Sequence, residues 1–381
     1  MLPYGRQSVS DDDVRAVEAV LRGDWLTTGP AVDAFESALR DTLGAVDVVA
    51  VSSGTAALHV ACATLDLEHD DEVIVPSLTF AASANAIVFC GGTPVFAEVD
   101  RGTLCLDPRD VGRRITPRTK GIMTVHYAGL PAGLSELRAL ATVHGIPLLE
   151  DAAHALGARA ANARVGSDSY LGTFSFHPVK HVTTGEGGAI ATTSPELGLR
   201  MRRLRNHGLD TDVRTRERAK TWRYEMVELG WNYRLTDIGA ALGTAQLRRL
   251  DATLARRREL ARAYIAAFPL DGAIETQQVA DPDAHAWHIF PVLLRLERLR
   301  VDRDVFVSAL RAEGIGANVH YAPTHLQPYY RSHYGHRPGE LPVTEDICAR
   351  LVTLPLFPSM TDQDLADVMT AVRKIVAWYR A

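Results

Sequence analysis

Short apolar runs alternate with helical patterns through the first 150 residues, and that alternation leaves little choice of architecture. Residues 48–51 lead into a helical pattern at 55–65, and 72–76 into one at 81–89. The runs 93–97 and 121–125 follow, then a helical stretch at 134–144 and a further run at 146–149. A run of β-branched and aliphatic residues without polar alternation is a strand buried on both faces, and helices between such strands cover a mostly parallel sheet. The fold class is therefore α/β. Residues 235–268 read as a long helical region broken near Leu250, after which the pattern changes. A strand at 288–294, a helix at 302–313 and a strand at 316–321 predict a smaller α/β unit. The expected division is a large domain over 1–250 and a small one over 251–381.

Two helices announce their own ends. Ser10 precedes Asp11, Asp12 and Asp13, with Val14, Val17, Val20 and Leu21 as the apolar face and Gly23 as the stop. Thr361 precedes a closing helix to about Tyr379, with Asp364 three residues on. Both have the form of a capping box.

Composition narrows the function by exclusion. A net charge of −5 argues against a polyanion-binding surface, so nucleic acid is not an expected partner. The basic stretch at 213–223 reads as a solvated loop, or less simply as a holder of phosphate. Cys62, Cys90, Cys105 and Cys348 form no Cys-x-x-Cys pair, which suits reduced thiols in a cytoplasm. No signal-peptide pattern opens the chain, and residues 73–92 are too interrupted by Pro76, Ser77, Thr79, Ser83 and Asn85 for a membrane span. No His-Glu-x-x-His occurs, and His325, His333 and His336 fall in an expected loop, so no metal site is predicted.

The chemistry centres on Lys180, one of few lysines in an arginine-rich chain, in Phe-Ser-Phe-His-Pro-Val-Lys-His-Val-Thr-Thr-Gly-Glu-Gly-Gly over 174–188. A lysine in a dry loop loses ammonium solvation, so its amine becomes a nucleophile for an aldehyde. Three further segments fall at strand ends, where ligands gather in such sheets. Gly54-Thr55 opens a helix after a strand and offers free N–H groups to an anion. Asp151 ends the run at 146–149 and could face a pyridine nitrogen, with His154 one helical turn on. Ser175 could donate to a phosphate, and Phe80 could cover a ring. Phosphate turn, acid, serine and lysine in that order point to pyridoxal 5′-phosphate.

These residues bear a resemblance to a known family. Trp25-Leu26-Thr27-Thr28-Gly29-Pro30, Ser53-Gly54-Thr55-Ala56-Ala57-Leu58, Glu150-Asp151-Ala152-Ala153-His154-Ala155, Phe174-Ser175-Phe176-His177 with Lys180, Glu186-Gly187-Gly188 and Gly230-Trp231-Asn232-Tyr233-Arg234 are similar to the DegT/StrS sugar aminotransferases. The resemblance implies the type I, aspartate-aminotransferase-like fold and pyridoxal 5′-phosphate as cofactor. It implies Lys180 as the Schiff-base lysine and general base, Asp151 as partner of the pyridine nitrogen, and Gly54, Thr55 and Ser175 as phosphate ligands. Phe80 would be the stacking ring, and His154 would sit beside the cofactor. Asn232 would reach the phosphate of the other subunit, making the site a property of a homodimer.

Pro3-Tyr4-Gly5-Arg6-Gln7, Val319-His320-Tyr321 and Gln327-Pro328-Tyr329-Tyr330-Arg331 place the resemblance nearest the pseudaminic-acid branch of the family. That implies transfer of the amino group of L-glutamate to the C4 ketone of a UDP-linked 4-keto-6-deoxy sugar, with Tyr4, Thr27, His320 and Tyr321 as substrate contacts. Another keto-sugar stays open as substrate. A family relative with histidine in place of the lysine is a dehydratase, so Lys180 favours transamination despite His181 beside it.

Overall fold

The alternating pattern is realised as a seven-stranded sheet in the computed structural model, which describes residues 1–268 and 272–381. Its strands are β1 (Asp47–Val51), β2 (Glu72–Pro76), β3 (Thr93–Ala97), β4 (Thr119–Val125), β5 (Leu148–Asp151), β8 (Leu171–Ser175) and β9 (Gly188–Thr192). Between β5 and β8 lies a two-stranded ribbon, β6 (Arg159–Ala160) and β7 (Ala163–Arg164). The sheet order is β1-β9-β8-β5-β4-β2-β3, and only β9 runs antiparallel, to both β1 and β8. Every residue of β2 and β9 is buried, as strands covered on both faces must be. The helix Gly54–Ala63 is buried from Ala56 to Cys62, so it carries no one-sided apolar stripe.

Past the helix Asp237–Leu247 the chain builds a second layer. Strands β10 (Ile274–Thr276), β11 (Phe290–Leu294) and β12 (Leu351–Leu354) form an antiparallel sheet in that order. The helices Arg303–Ala312 and Asp362–Tyr379 pack over it. The helix Leu250–Ala267 belongs to both layers. Its Leu250 and Leu254 pack with the large-sheet core, while Leu260, Ala261 and Tyr264 join the core of the small sheet. Each buried leucine of this kind contributes about 1.5–3 kcal/mol.

Both capping boxes form: Ser10 with Asp13, and Thr361 with Asp364. The first helix, Asp11–Leu21, nevertheless departs from expectation, because Val14 and Leu21 are exposed and Asp13 is its buried residue. Asp13 turns inward because Arg249 and Gln246 bond its carboxylate at 2.6 and 2.7 Å.

The strand expected at 316–321 does not form. Asn318 makes a single antiparallel bridge with Thr353, while Ile315 pairs with Leu2 and Gly316 donates to the Leu2 carbonyl at 2.7 Å. The N-terminal residues thus take part of the backbone that a strand would need. Leu356 N–H then bonds the Tyr4 carbonyl at 3.0 Å, which carries Tyr4 to the edge of the large sheet's cavity.

Candidate active site

A cavity of about 450 Å³ opens at the carboxyl ends of the parallel strands, the usual place for ligands in such a sheet. Val125, Asp151 and Ser175, the last residues of β4, β5 and β8, line it, and Gly54 and Thr55 enter from the helix after β1.

Gly54 is fixed by crowding. A Cβ there would lie 2.8 Å from Ser175 Cβ and 3.0 Å from Ser175 Oγ, so only glycine lets the turn close against β8. Ser53 caps the helix, its side chain accepting from Ala56 N–H at 3.0 Å. The remaining first-turn N–H groups, with the Thr55 and Ser175 hydroxyls beside them, make a small anion cradle.

Asp151 is buried, with Ser83 Oγ donating to Oδ2 at 2.7 Å and Ala153 N–H to Oδ1 at 3.1 Å. Ser83 in turn shares a 2.7 Å bond with Thr79 Oγ1. The preceding Glu150 points to the opposite face, as strand alternation requires. Burial pushes the Glu150 carboxyl up, but His126 at 2.9 Å and Arg138 at 3.1 Å outweigh it and hold the group below its ordinary value. A braced Glu150 fixes the end of β5 and hence the aim of Asp151.

Lys180 lies in the connection between β8 and β9. Phe176 N–H bonds the Gly187 carbonyl at 2.8 Å, Thr184 N–H the Phe176 carbonyl at 3.0 Å and Lys180 N–H the His177 carbonyl at 2.9 Å, which closes the loop on itself. The residue keeps some solvent contact, while its amino group is ringed by protein. Loss of solvation brings the amine down to about 8, with the Asp151 charge pulling the other way. His288 Nε2 stands 3.4 Å from Nζ.

The facing wall comes from Tyr4, Phe80, His154, His320 and Tyr321. Tyr321 OH bonds His154 Nε2 at 3.2 Å, and the Phe80 and Tyr321 rings lie 5.8 Å apart. Phe80 is 59 % exposed, a large apolar ring open to the cavity mouth. His320 is bonded to Thr353 Oγ1 at 2.9 Å, and its carbonyl accepts from Tyr127 OH. Burial first, and the Lys180 charge second, hold its imidazole down to about 4. His181 turns away from the amine and bonds the Ala286 carbonyl at 2.9 Å.

Two expected residues lie outside this cavity. Asn232 is exposed and bridges Asn206, and Thr27 lines a separate cavity of about 530 Å³. The basic stretch, expected as a solvated loop, begins with the short helix Val213–Arg218, which borders that second cavity. The second cavity carries arginines but no lysine, so it lacks the groups for amine chemistry. Sequence reading missed Ser83 and His288. His288 stands just before an apolar run, where the local signal speaks only of a strand. Among the described residues no cluster of three His, Cys, Asp or Glu could hold a metal, and no helix is long and apolar enough to cross a membrane.

An anion cradle, a buried carboxylate and a lysine amine near neutrality around one cavity fit a phosphorylated aromatic aldehyde. The comparisons agree. A profile of the DegT/DnrJ/EryC1/StrS aminotransferase family matches residues 7–373. An uncharacterized protein of Methanocaldococcus jannaschii is 37 % identical over 378 residues, covering 99 % of this chain and 98 % of its own. Helicobacter pylori PseC, an aminotransferase of pseudoaminic acid biosynthesis, superposes with a TM-score of 0.93 at 29 % identity, over 99 % of this chain and 100 % of that one. The putative sugar aminotransferase Spr1654 of Streptococcus pneumoniae in its PLP form superposes with a TM-score of 0.91 at 27 % identity, covering 99 % of each chain.

Proposed function

The chain belongs to the DegT/DnrJ/EryC1/StrS aminotransferase family, whose cofactor is pyridoxal 5′-phosphate, and from that premise we propose that it moves the amino group of L-glutamate to the C4 ketone of a UDP-linked 4-keto-6-deoxy sugar. The observation that carries the reading is the Lys180 amine, held near neutrality on the floor of a cavity that Asp151 and the Gly54 cradle also line.

Bound pyridoxal 5′-phosphate supplies an aldehyde that condenses with amines and a ring that takes up the electrons left when a C–H bond breaks. In our reading the helix N-terminus at Gly54 and the Thr55 and Ser175 hydroxyls hold the phosphate. Asp151, kept in place by Ser83, would partner the ring nitrogen and favour a proton there. Phe80 and His154 confine the ring. Lys180 Nζ would anchor the cofactor, take the α proton of glutamate and deliver a proton to the sugar carbon that receives the amine. Tyr4, His320 and Tyr321 supply hydroxyl and imidazole groups for a sugar, and the similarity to PseC supports the C4 ketone of a pseudaminic-acid precursor as substrate.

The assembly is a homodimer in this reading. Asn232 lies outside its own chain's cavity, next to an exposed apolar stretch that includes Trp222, Met226 and Leu229. A second copy would cover that stretch and receive Asn232, with Thr27 following it to the shared site.

The test is direct. Purified protein with the UDP-4-keto-6-deoxy sugar and glutamate should yield the 4-amino sugar and 2-oxoglutarate, identified by mass spectrometry. Turnover of other keto-sugars alone would refute the substrate, and Lys180→Ala with wild-type turnover would refute the chemistry.

A further inference from the structure

His288 is held from two sides. Its N–H bonds the Ala128 carbonyl at 2.8 Å, and its carbonyl accepts from Arg257 Nη1 at 3.0 Å. Arg257 is itself buried and spans the carbonyls of Trp287 and Leu356 as well. Trp287, just before, has φ of +48°, a backbone region that a bulky side chain adopts only under constraint. Its indole N–H is tied to the Pro282 carbonyl at 3.0 Å, and its ring stacks on His285. The chain thus accepts strain to set one imidazole in one place.

That imidazole has an unusual set of contacts. Nδ1 is buried with no hydrogen-bond partner. Nε2 stands 3.4 Å from Lys180 Nζ and is the one side-chain hydrogen-bond partner of that amine among the described residues. The other titratable groups around the amine are Asp151 on β5, His154 beyond it, His181 on the same loop, His320 and Tyr321 from the facing wall, and Tyr4, His177 and Glu186 in the same cavity lining. None of these is bonded to Nζ.

We propose that His288 is the positioning residue of the Lys180 amine, its Nε2 accepting a hydrogen bond from Nζ whenever that amine is free of the cofactor. The inference rests on Lys180 being the amine that takes up and releases the cofactor. A neutral imidazole accepting from an ammonium favours the charged form, so His288 opposes the effect of burial. It keeps a proton available on Nζ and keeps the amine on the cavity floor. Burial and the neighbouring cationic groups hold His288 itself far below its ordinary value, which leaves it neutral for this role.

The experiment uses full-length protein freed of cofactor, with folding checked by circular dichroism. Trace acetic anhydride reacts with neutral amines only, and peptide mass spectrometry reads Lys180 acetylation against pH. Wild type should inflect near pH 8. His288→Gln, whose carboxamide oxygen can accept the same bond, should stay within about half a unit of wild type. His288→Phe should inflect about one unit lower, a tenfold change in the protonation constant. A His288→Phe profile that overlays wild type overturns the proposal, and so does a His288→Gln shift as large as that of His288→Phe. Borohydride reduction of the three cofactor-loaded proteins separates the underlying assignment. A cofactor tag on Lys180 upholds it, and a tag on another lysine sinks it whichever way the inflections fall.

Discussion

Ser83 and Asp151, 68 residues apart, are joined by a 2.7 Å hydrogen bond from the serine hydroxyl to Oδ2. A hydrogen bond to a buried carboxylate contributes about 1.5–3 kcal/mol. Ser83→Ala should therefore weaken cofactor binding roughly 10- to 100-fold, by leaving Oδ2 of Asp151 without its donor and the carboxylate free to turn. Equilibrium titration with pyridoxal 5′-phosphate measures this, and unchanged affinity would remove Ser83 from the support of Asp151.

Gly54→Ala places a methyl 2.8 Å from Ser175 Cβ. Overpacking of this kind costs about 1–3 kcal/mol of stability, and the turn can relieve it only by backing away from β8. We expect most of the bound cofactor to be lost, seen as absorbance near the visible edge after dialysis. Full retention with an unchanged melting temperature would show that the turn is not the phosphate cradle.

Stability should fall with acidity earlier than carboxylates alone would cause. Burial holds His154, His181, His285 and His288 well below their ordinary value in the folded chain. Below about pH 6.5 the unfolded chain binds protons at these sites and the folded chain does not, so stability drops as pH falls. Each such group contributes about 1.4 kcal/mol per pH unit in that window. Glu150, held low in the folded state, adds a further loss below its unfolded value. Melting curves from pH 8 to 5.5 should slope downward, and His181→Gln should flatten them. A level profile would contradict the buried neutral histidines.

A mixing experiment tests the proposal that two subunits share each site. Lys180→Ala and Asn232→Ala proteins should each turn over poorly, the first below detection. Unfolded together and refolded, they should recover up to about a quarter of wild-type activity, because half of the dimers are hybrids and each hybrid carries one intact site. No recovery would place Asn232 outside the partner's cavity.

Much of this was readable from sequence because it is local. The buried strands, the two capping boxes and the break near Leu250 each depend on neighbours within a turn or two, and each stands where the pattern predicts. The gathering of Lys180, Asp151, Ser175 and Gly54 at one cavity was readable because strand ends in a parallel sheet converge. His288 was not, because its place is set by Arg257 thirty-one residues earlier and by Ala128 from another layer. The false strand at 316–321 fails for a similar reason. Its alternation is sound, but Leu2 from the far end of the chain holds Ile315 and Gly316.

Arg257 has a consequence for motion. One guanidinium nitrogen bonds the carbonyls of Trp287, His288 and Leu356, and Leu356 N–H holds the carbonyl of Tyr4. Two walls of the cavity are thereby geared to a single cation on the helix that both layers share. A swing of the C-terminal layer would move the imidazole beside Lys180 and the tyrosine across from it in one stroke, and under the proposed function any opening for a large substrate would then disturb the surroundings of the Lys180 amine as well.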